Sequence, residues 1–151
     1  MKKDTAMPEG GVSLSLRVRY AETDQMRYAY YGRYMEWFEA ARGEFCRVKG
    51  IDYTTLEESG LFLPVAEAYC RYKSPARYDD LLEITAAVKD CTRRILRMVY
   101  EVRRGDTVLA EGETTQILAD ENGRPRTIPQ EIRDRFLHVP DCNQSGKHSS
   151  R

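Results

Sequence analysis

Histidine is scarce in this chain. Its 151 residues hold two, His138 and His148, both late in the sequence. A Ser-His-Asp hydrolase needs a histidine beside its nucleophile, and no GxSxG turn is present to carry a serine, so that chemistry has little support. Cysteine is nearly as sparse: Cys46, Cys70, Cys91 and Cys142, with no CxxC pair. These cysteines and two distant histidines make a poor zinc set, so no metal is expected, and reduced thiols in a cytoplasmic protein are the simplest reading. Neither GxGxxG nor a P-loop occurs. No run approaches the roughly 18 apolar residues of a membrane span. The start, MKKDTAMPEGG, has charge but lacks the apolar stretch of a signal peptide, so export is not expected. Net charge is absent too. With 24 basic and 24 acidic residues, no overall field draws the chain to nucleic acid or a membrane surface.

What is present is ordinary for a globular domain. The 41% hydrophobic content suits a single unit that buries roughly two-thirds of its unfolded surface. Residues 1–11 and 138–151 read as flexible tails, and 12–137 as one domain without repeat or linker. Val12 to Tyr20 alternates apolar and polar, as a half-buried strand does. Gly32 to Lys49 reads as a helix with Tyr34, Phe38, Ala41, Phe45 and Val48 at spacings of three and four, stopped by Gly50. Met35, Trp37 and Ala40 widen its apolar face, as in a helix enclosed on several sides. Asp52 opens a short second helix that ends at Gly60. Strands follow at 62–72, 81–88, 95–102 and 108–118, with Arg104-Gly105-Asp106 as a hairpin turn and Asn122-Gly123 closing the last. A short helix is expected over 129–137. The order predicts an α+β fold in which four consecutive strands form an antiparallel meander with the long helix on its concave face.

Asp24 is the first candidate for chemistry. It precedes a helix start near Tyr31-Gly32, where unpaired amides carry partial positive charge suited to an oxyanion. Beside such amides a carboxylate can attack or activate water. The alternative is a helix cap, which requires the helix to begin near Gln25. Arg93 and Arg94 are the second candidate. Adjacent strand residues point to opposite faces, so the pair can reach one anion only from a turn, and an edge-protecting solvated turn is the other reading. Asp79-Asp80 sits just before an apolar strand and reads as a turn. Cys46, mid-helix, reads as a small buried hydrophobe.

These pieces together resemble a known family. YAETDQMRYAYYGRYMEWFEAAR, ESGLFLPV, YKSPARYDDLLEI and GETTQILAD before GRPRTIP are similar to the hot-dog-fold thioesterases of the 4-hydroxybenzoyl-CoA thioesterase type, including the Tol–Pal-associated acyl-CoA branch. The resemblance covers about Leu14 to Phe136. It implies an antiparallel β-sheet wrapped around a long central α-helix, and a homodimer or homotetramer with active sites at the subunit interface. It implies hydrolysis of an acyl-CoA to free acid and CoA, with no cofactor beyond the substrate's own CoA. Asp24 matches the loop aspartate that attacks the thioester or activates water. Tyr31 matches the position whose backbone N–H serves the oxyanion, and Arg93 and Arg94 match an arginine-rich turn that contacts the CoA phosphates.

The sequence departs from the common pattern at three places. Arg27 stands where many members have glycine, Tyr31 where many have histidine, and Arg33 where many have asparagine. Some branches carry tyrosine at the position of Tyr31. A glycine at position 27 can take a positive φ that arginine tolerates poorly, so the loop path is in question. A cation there narrows the acyl pocket or attracts an acidic acyl group. Two other functions fit the same residues: an acyl-carrier-protein thioesterase, and a hot-dog protein that binds acyl-CoA without turnover.

Overall fold

The computed structural model describes residues 7–139. Most of each expected tail, together with Cys142 and His148, lies outside the described residues. Strand β1 spans Val12–Arg17, with Val12, Leu14 and Leu16 half-buried and Ser13, Ser15 and Arg17 exposed. It stops three residues earlier than expected. Beyond it the Glu22 carboxylate accepts the Arg19 amide at 2.8 Å, closing a single 3-10 turn over Tyr20–Glu22.

Helix α1 runs Arg33–Val48 and buries Tyr34, Trp37, Phe38, Ala41, Phe45 and Cys46. The expected face is present except at its margins: Ala40 and Val48 are exposed, and Cys46 takes the last inward position. Gly50, at φ +72°, ends the helix, and Ile51 N–H donates back to the Cys46 carbonyl at 2.8 Å. Helix α2, Tyr53–Glu58, is capped by Asp52, whose carboxylate accepts Thr54 N–H at 2.9 Å and the Thr55 hydroxyl at 2.8 Å.

The strand expected over 62–72 is two strands, β2 (Leu61–Phe62) and β3 (Val65–Tyr72), interrupted at Leu63-Pro64, because proline has no N–H for a ladder. β4 (Leu81–Cys91), β5 (Ile95–Arg104), β6 (Thr107–Ile117) and the short β7 (Ala119–Asp120) follow, and helix α3 covers Gln130–Leu137. The main sheet is antiparallel, in the order β1-β4-β5-β6-β3, while β2 pairs with β7. The expected four-strand meander therefore holds for β4-β5-β6 and fails for β3, which lies beside β6. The place beside β4 belongs to β1, whose alternating residues run in register from Val12 opposite Ala86 to Arg17 opposite Leu81.

The sheet curves around α1, the hot-dog arrangement. The Phe38 ring stacks on Tyr100 of β5 at 4.6 Å between centroids, and a Cβ on Gly112 of β6 would overlap that same ring. Burying Phe38 contributes about 2–3 kcal/mol, and it needs a residue without a side chain at 112. Phe136 of α3 stacks on Phe45 and closes the far end of the helix. β3 has a ladder partner on one side alone among the described residues, and Val65 and Tyr72 on it are exposed. No described helix is long and apolar enough to cross a membrane.

Candidate active site

Asp24 lies in a closed loop between the 3-10 turn and α1. Its amide donates to the Tyr28 carbonyl at 2.8 Å, and its own carbonyl accepts Arg27 N–H at 3.0 Å. Its carboxylate works in the same loop: Oδ1 accepts Met26 N–H at 2.9 Å and Tyr28 N–H at 3.2 Å. No described residue donates to Oδ2. The N-cap of α1 is Gly32, with no side-chain cap, so Asp24 orders its own turn and does not cap the helix. The loop follows the path that glycine would favour. Arg27 sits at φ +67°, in the left-handed region, held there by the Asp24 bonds on either side. Its side chain is exposed and makes no hydrogen bond or ion pair with a described residue.

The loop is anchored to the segment between β3 and β4 by Ala29 N–H on the Ala76 carbonyl at 2.7 Å and by a bridge between Tyr28 and Arg77. This brings Asp24, Met26, Tyr28, Tyr31, Tyr34, Tyr72 and Pro75 around one cleft of about 320 Å³. Tyr31 and Gly32 form the entry to α1, and no described residue accepts a hydrogen bond from either amide. The Tyr31 carbonyl is held by the Tyr72 hydroxyl at 2.9 Å. Tyr34, beneath them, accepts Ala76 N–H at 3.3 Å, and burial raises its phenol above the ordinary range. Chemically, the cleft offers, among the described residues, one carboxylate oxygen without a donor and the unpaired Tyr31 amide at the start of α1, among aromatic walls.

Arg93 and Arg94 do lie in a turn, between β4 and β5, and both are exposed. The Gly123–Pro129 segment runs beside them, since Ile128 N–H donates to the Arg93 carbonyl at 2.6 Å, and this brings Arg124 and Arg126 to the same end. Arg126 is paired with Asp120 at 3.1 Å. The fold does not bring this turn to Asp24 within one chain. The Asp24 loop meets the segment just before Leu81, whereas the turn follows Cys91, and the strand between them extends roughly 30 Å. Asp79 and Asp80 form a tight turn, as expected. Asp79 has φ +66°, and Asp80 accepts Arg77 N–H and Arg104 Nη1, each at 2.8 Å. Arg33 pairs with Glu36 at 3.1 Å.

Glu22 escaped the sequence reading. It is 5% exposed, and its carboxylate accepts the Trp37 indole N–H at 3.0 Å in addition to the Arg19 amide. Burial alone would raise its pKa, but these donors and the Arg19 charge outweigh burial and hold it below the ordinary value. A signal was available: a lone tryptophan in a buried helix face needs an acceptor for its N–H.

The fold is that of a hot-dog protein of the thioesterase class. The chain belongs to the Thioesterase-like superfamily, whose family model matches residues 18–136. It is 34% identical over 116 residues to a putative esterase of Aquifex aeolicus, covering 77% of this chain and 90% of that one. It is 29% identical to the acyl-CoA thioesterase YbgC of Haemophilus influenzae, covering 88% and 99% of the two chains. The crystal structure of a probable thioesterase from Bartonella henselae superposes with a TM-score of 0.75 at 30% identity, over 80% of this chain and all of that one.

Proposed function

We propose that this protein hydrolyses acyl-CoA thioesters, with Asp24 as the catalytic carboxylate. The observation that carries the reading is that Asp24 and Tyr31 line one cleft, where, among the described residues, nothing donates to Asp24 Oδ2 and nothing accepts the Tyr31 N–H at the start of the helix. Asp24 removes a proton from water as the oxygen attacks the thioester carbonyl. The carbonyl electron pair moves onto oxygen, where the Tyr31 and Gly32 amides donate to it. Collapse of the tetrahedral intermediate restores the carbonyl, breaks the C–S bond and expels the CoA thiolate. The thiolate takes up a proton, and the free acid leaves. Direct attack by Asp24, giving a mixed anhydride that water then cleaves, uses the same geometry. Single-turnover hydrolysis in labelled water, with oxygen followed into the Asp24 carboxylate, separates the two routes. The chemistry needs no metal, and no cofactor beyond the substrate's CoA.

The CoA phosphates are assigned to Arg93 and Arg94, whose guanidinium groups suit them. Since these lie far from Asp24 in one chain, the complete site is assigned to a homodimer or a larger homo-oligomer in which one copy supplies the aspartate and another the arginines. The open edge of β3, with Val65 and Tyr72 exposed, supports pairing of two sheets side by side. The test is a panel of acetyl-, butyryl-, decanoyl- and benzoyl-CoA, with the matching carrier-protein esters and Asp24→Asn as control. Turnover by the wild type and its loss in the variant support the reading. Turnover of carrier-protein esters alone, or none at all, overturns it.

A further inference from the structure

We propose that Glu22 is the positioning residue of the aspartate loop, its carboxylate fixing the segment that carries Asp24 against the helix whose N-terminus faces the same cleft. The proposal rests on the reading of Asp24 as the catalytic group. Each carboxylate oxygen of Glu22 has its own donor, and the donors lie on different elements. Oε1 accepts the Arg19 amide at 2.8 Å, before the loop, and Oε2 accepts Trp37 Nε1 at 3.0 Å, in the second turn of α1. The Glu22 carbonyl accepts Tyr30 N–H at 2.7 Å, on the return side of the loop and directly before Tyr31. Between these two residues the loop closes by a bridge of Thr23 with Ala29 and by the Asp24–Tyr28 bond. One residue thus ties together the entry to the loop, its exit and the helix axis.

Stability alone does not account for such a group. Glu22 and Trp37 are 5% and 3% exposed, and among the described residues the one cation paired with the carboxylate is Arg19, 3.5 Å away with a largely exposed side chain. A buried carboxylate so weakly paired gains little over an apolar residue of equal volume. What it adds is direction, because two acceptor oxygens facing two donors admit one orientation of the loop on the helix. A catalytic carboxylate displaced by about 1 Å can lose roughly a hundredfold in rate.

Glu22→Gln preserves volume but breaks this pattern. The amide has one acceptor oxygen, so its NH2 must confront the N–H of either Arg19 or Trp37. Trp37→Phe removes the indole donor and with it that confrontation. The experiment measures kcat and KM on butyryl-CoA and benzoyl-CoA, with Tm, for wild type, Glu22→Gln, Trp37→Phe, the double variant and Asp24→Asn. Glu22→Gln is expected to lower kcat roughly tenfold to a hundredfold with KM within about twofold. The double variant is expected to be no worse than Glu22→Gln, so that the two effects do not add. If Glu22→Gln does not fold, Trp37→Phe carries the test with a several-fold lower kcat at unchanged KM. A Glu22→Gln protein with lowered Tm but wild-type kcat has lost only structure, and that result overturns the proposal. So do independent, additive effects of the two substitutions. Wild-type kcat in Asp24→Asn would instead overturn the catalytic reading itself, which keeps the two failures apart.

Discussion

The Tyr72 hydroxyl donates to the Tyr31 carbonyl at 2.9 Å and so ties β3, an edge strand, to the peptide that leads into the central helix. That carbonyl shares its peptide plane with the Gly32 amide, one of the two assigned to the oxyanion. Tyr72→Phe keeps the ring and removes the restraint. A hydrogen bond of this kind contributes about 1 kcal/mol, and if it acts on the transition state kcat falls roughly fivefold. Steady-state kinetics should show that loss with KM nearly unchanged, alongside a Tm lower by about 2–4 °C.

Gly112 is required by the close approach of Phe38. Gly112→Ala places a methyl group inside the ring's volume, and α1 must shift away from β6. A destabilisation of about 1–3 kcal/mol is expected, read as a lower midpoint in chemical denaturation. Gly112→Ala combined with Phe38→Leu should recover part of the loss, since the overlap is then relieved.

Much of this architecture is legible in the residues. The spacing of Tyr34, Phe38, Ala41 and Phe45 announces α1, and Gly50 its end, because both signals are local. The spacing of seven positions from Asp24 to Tyr31 already separates the aspartate from the helix cap. The destination of β3 was not legible: its alternation says that it is a strand, but its neighbour is decided by β1, which claims the place beside β4 from far away in sequence. Glu22 was missed for a similar reason. A glutamate next to Thr23-Asp24 looks like loop, and only Trp37, fifteen positions later, makes it part of the interior. Arg27 shows the converse, where a local preference against positive φ yields to the two Asp24 hydrogen bonds that close the turn.

The buried Glu22 carboxylate gives folding an acid limb. Its pKa is lowered in the folded state, so the unfolded chain binds its proton more readily. The stability it contributes is complete above the ordinary value near 4.5 and is lost as pH falls through the lower folded value. Denaturation midpoints measured from pH 7 down to pH 3 should therefore drop less steeply in Glu22→Gln than in the wild type. Equal slopes would remove Glu22 from the acid response.

Arg93 and Arg94 are exposed, and solvent and salt screen whatever they bind. Replacing both with alanine should raise KM for acyl-CoA several-fold, with the largest effect at low ionic strength, and leave kcat nearly constant. Acyl-N-acetylcysteamine esters, which lack the nucleotide, should be hydrolysed equally well by the variant and the wild type. Loss of activity on both substrates would place the arginines in a structural role.

The central claim is that the free oxygen of Asp24 performs the chemistry, and Asp24→Asn tests it with little disturbance. The asparagine carbonyl can still accept the Met26 and Tyr28 amides that shape the loop, but it can neither take a proton from water nor attack as a carboxylate. The decisive measurement is kcat of Asp24→Asn beside wild type on the acyl-CoA that the wild type turns over fastest. The account predicts a loss of roughly a hundredfold or more at unchanged Tm. Equal kcat in the two proteins would contradict it.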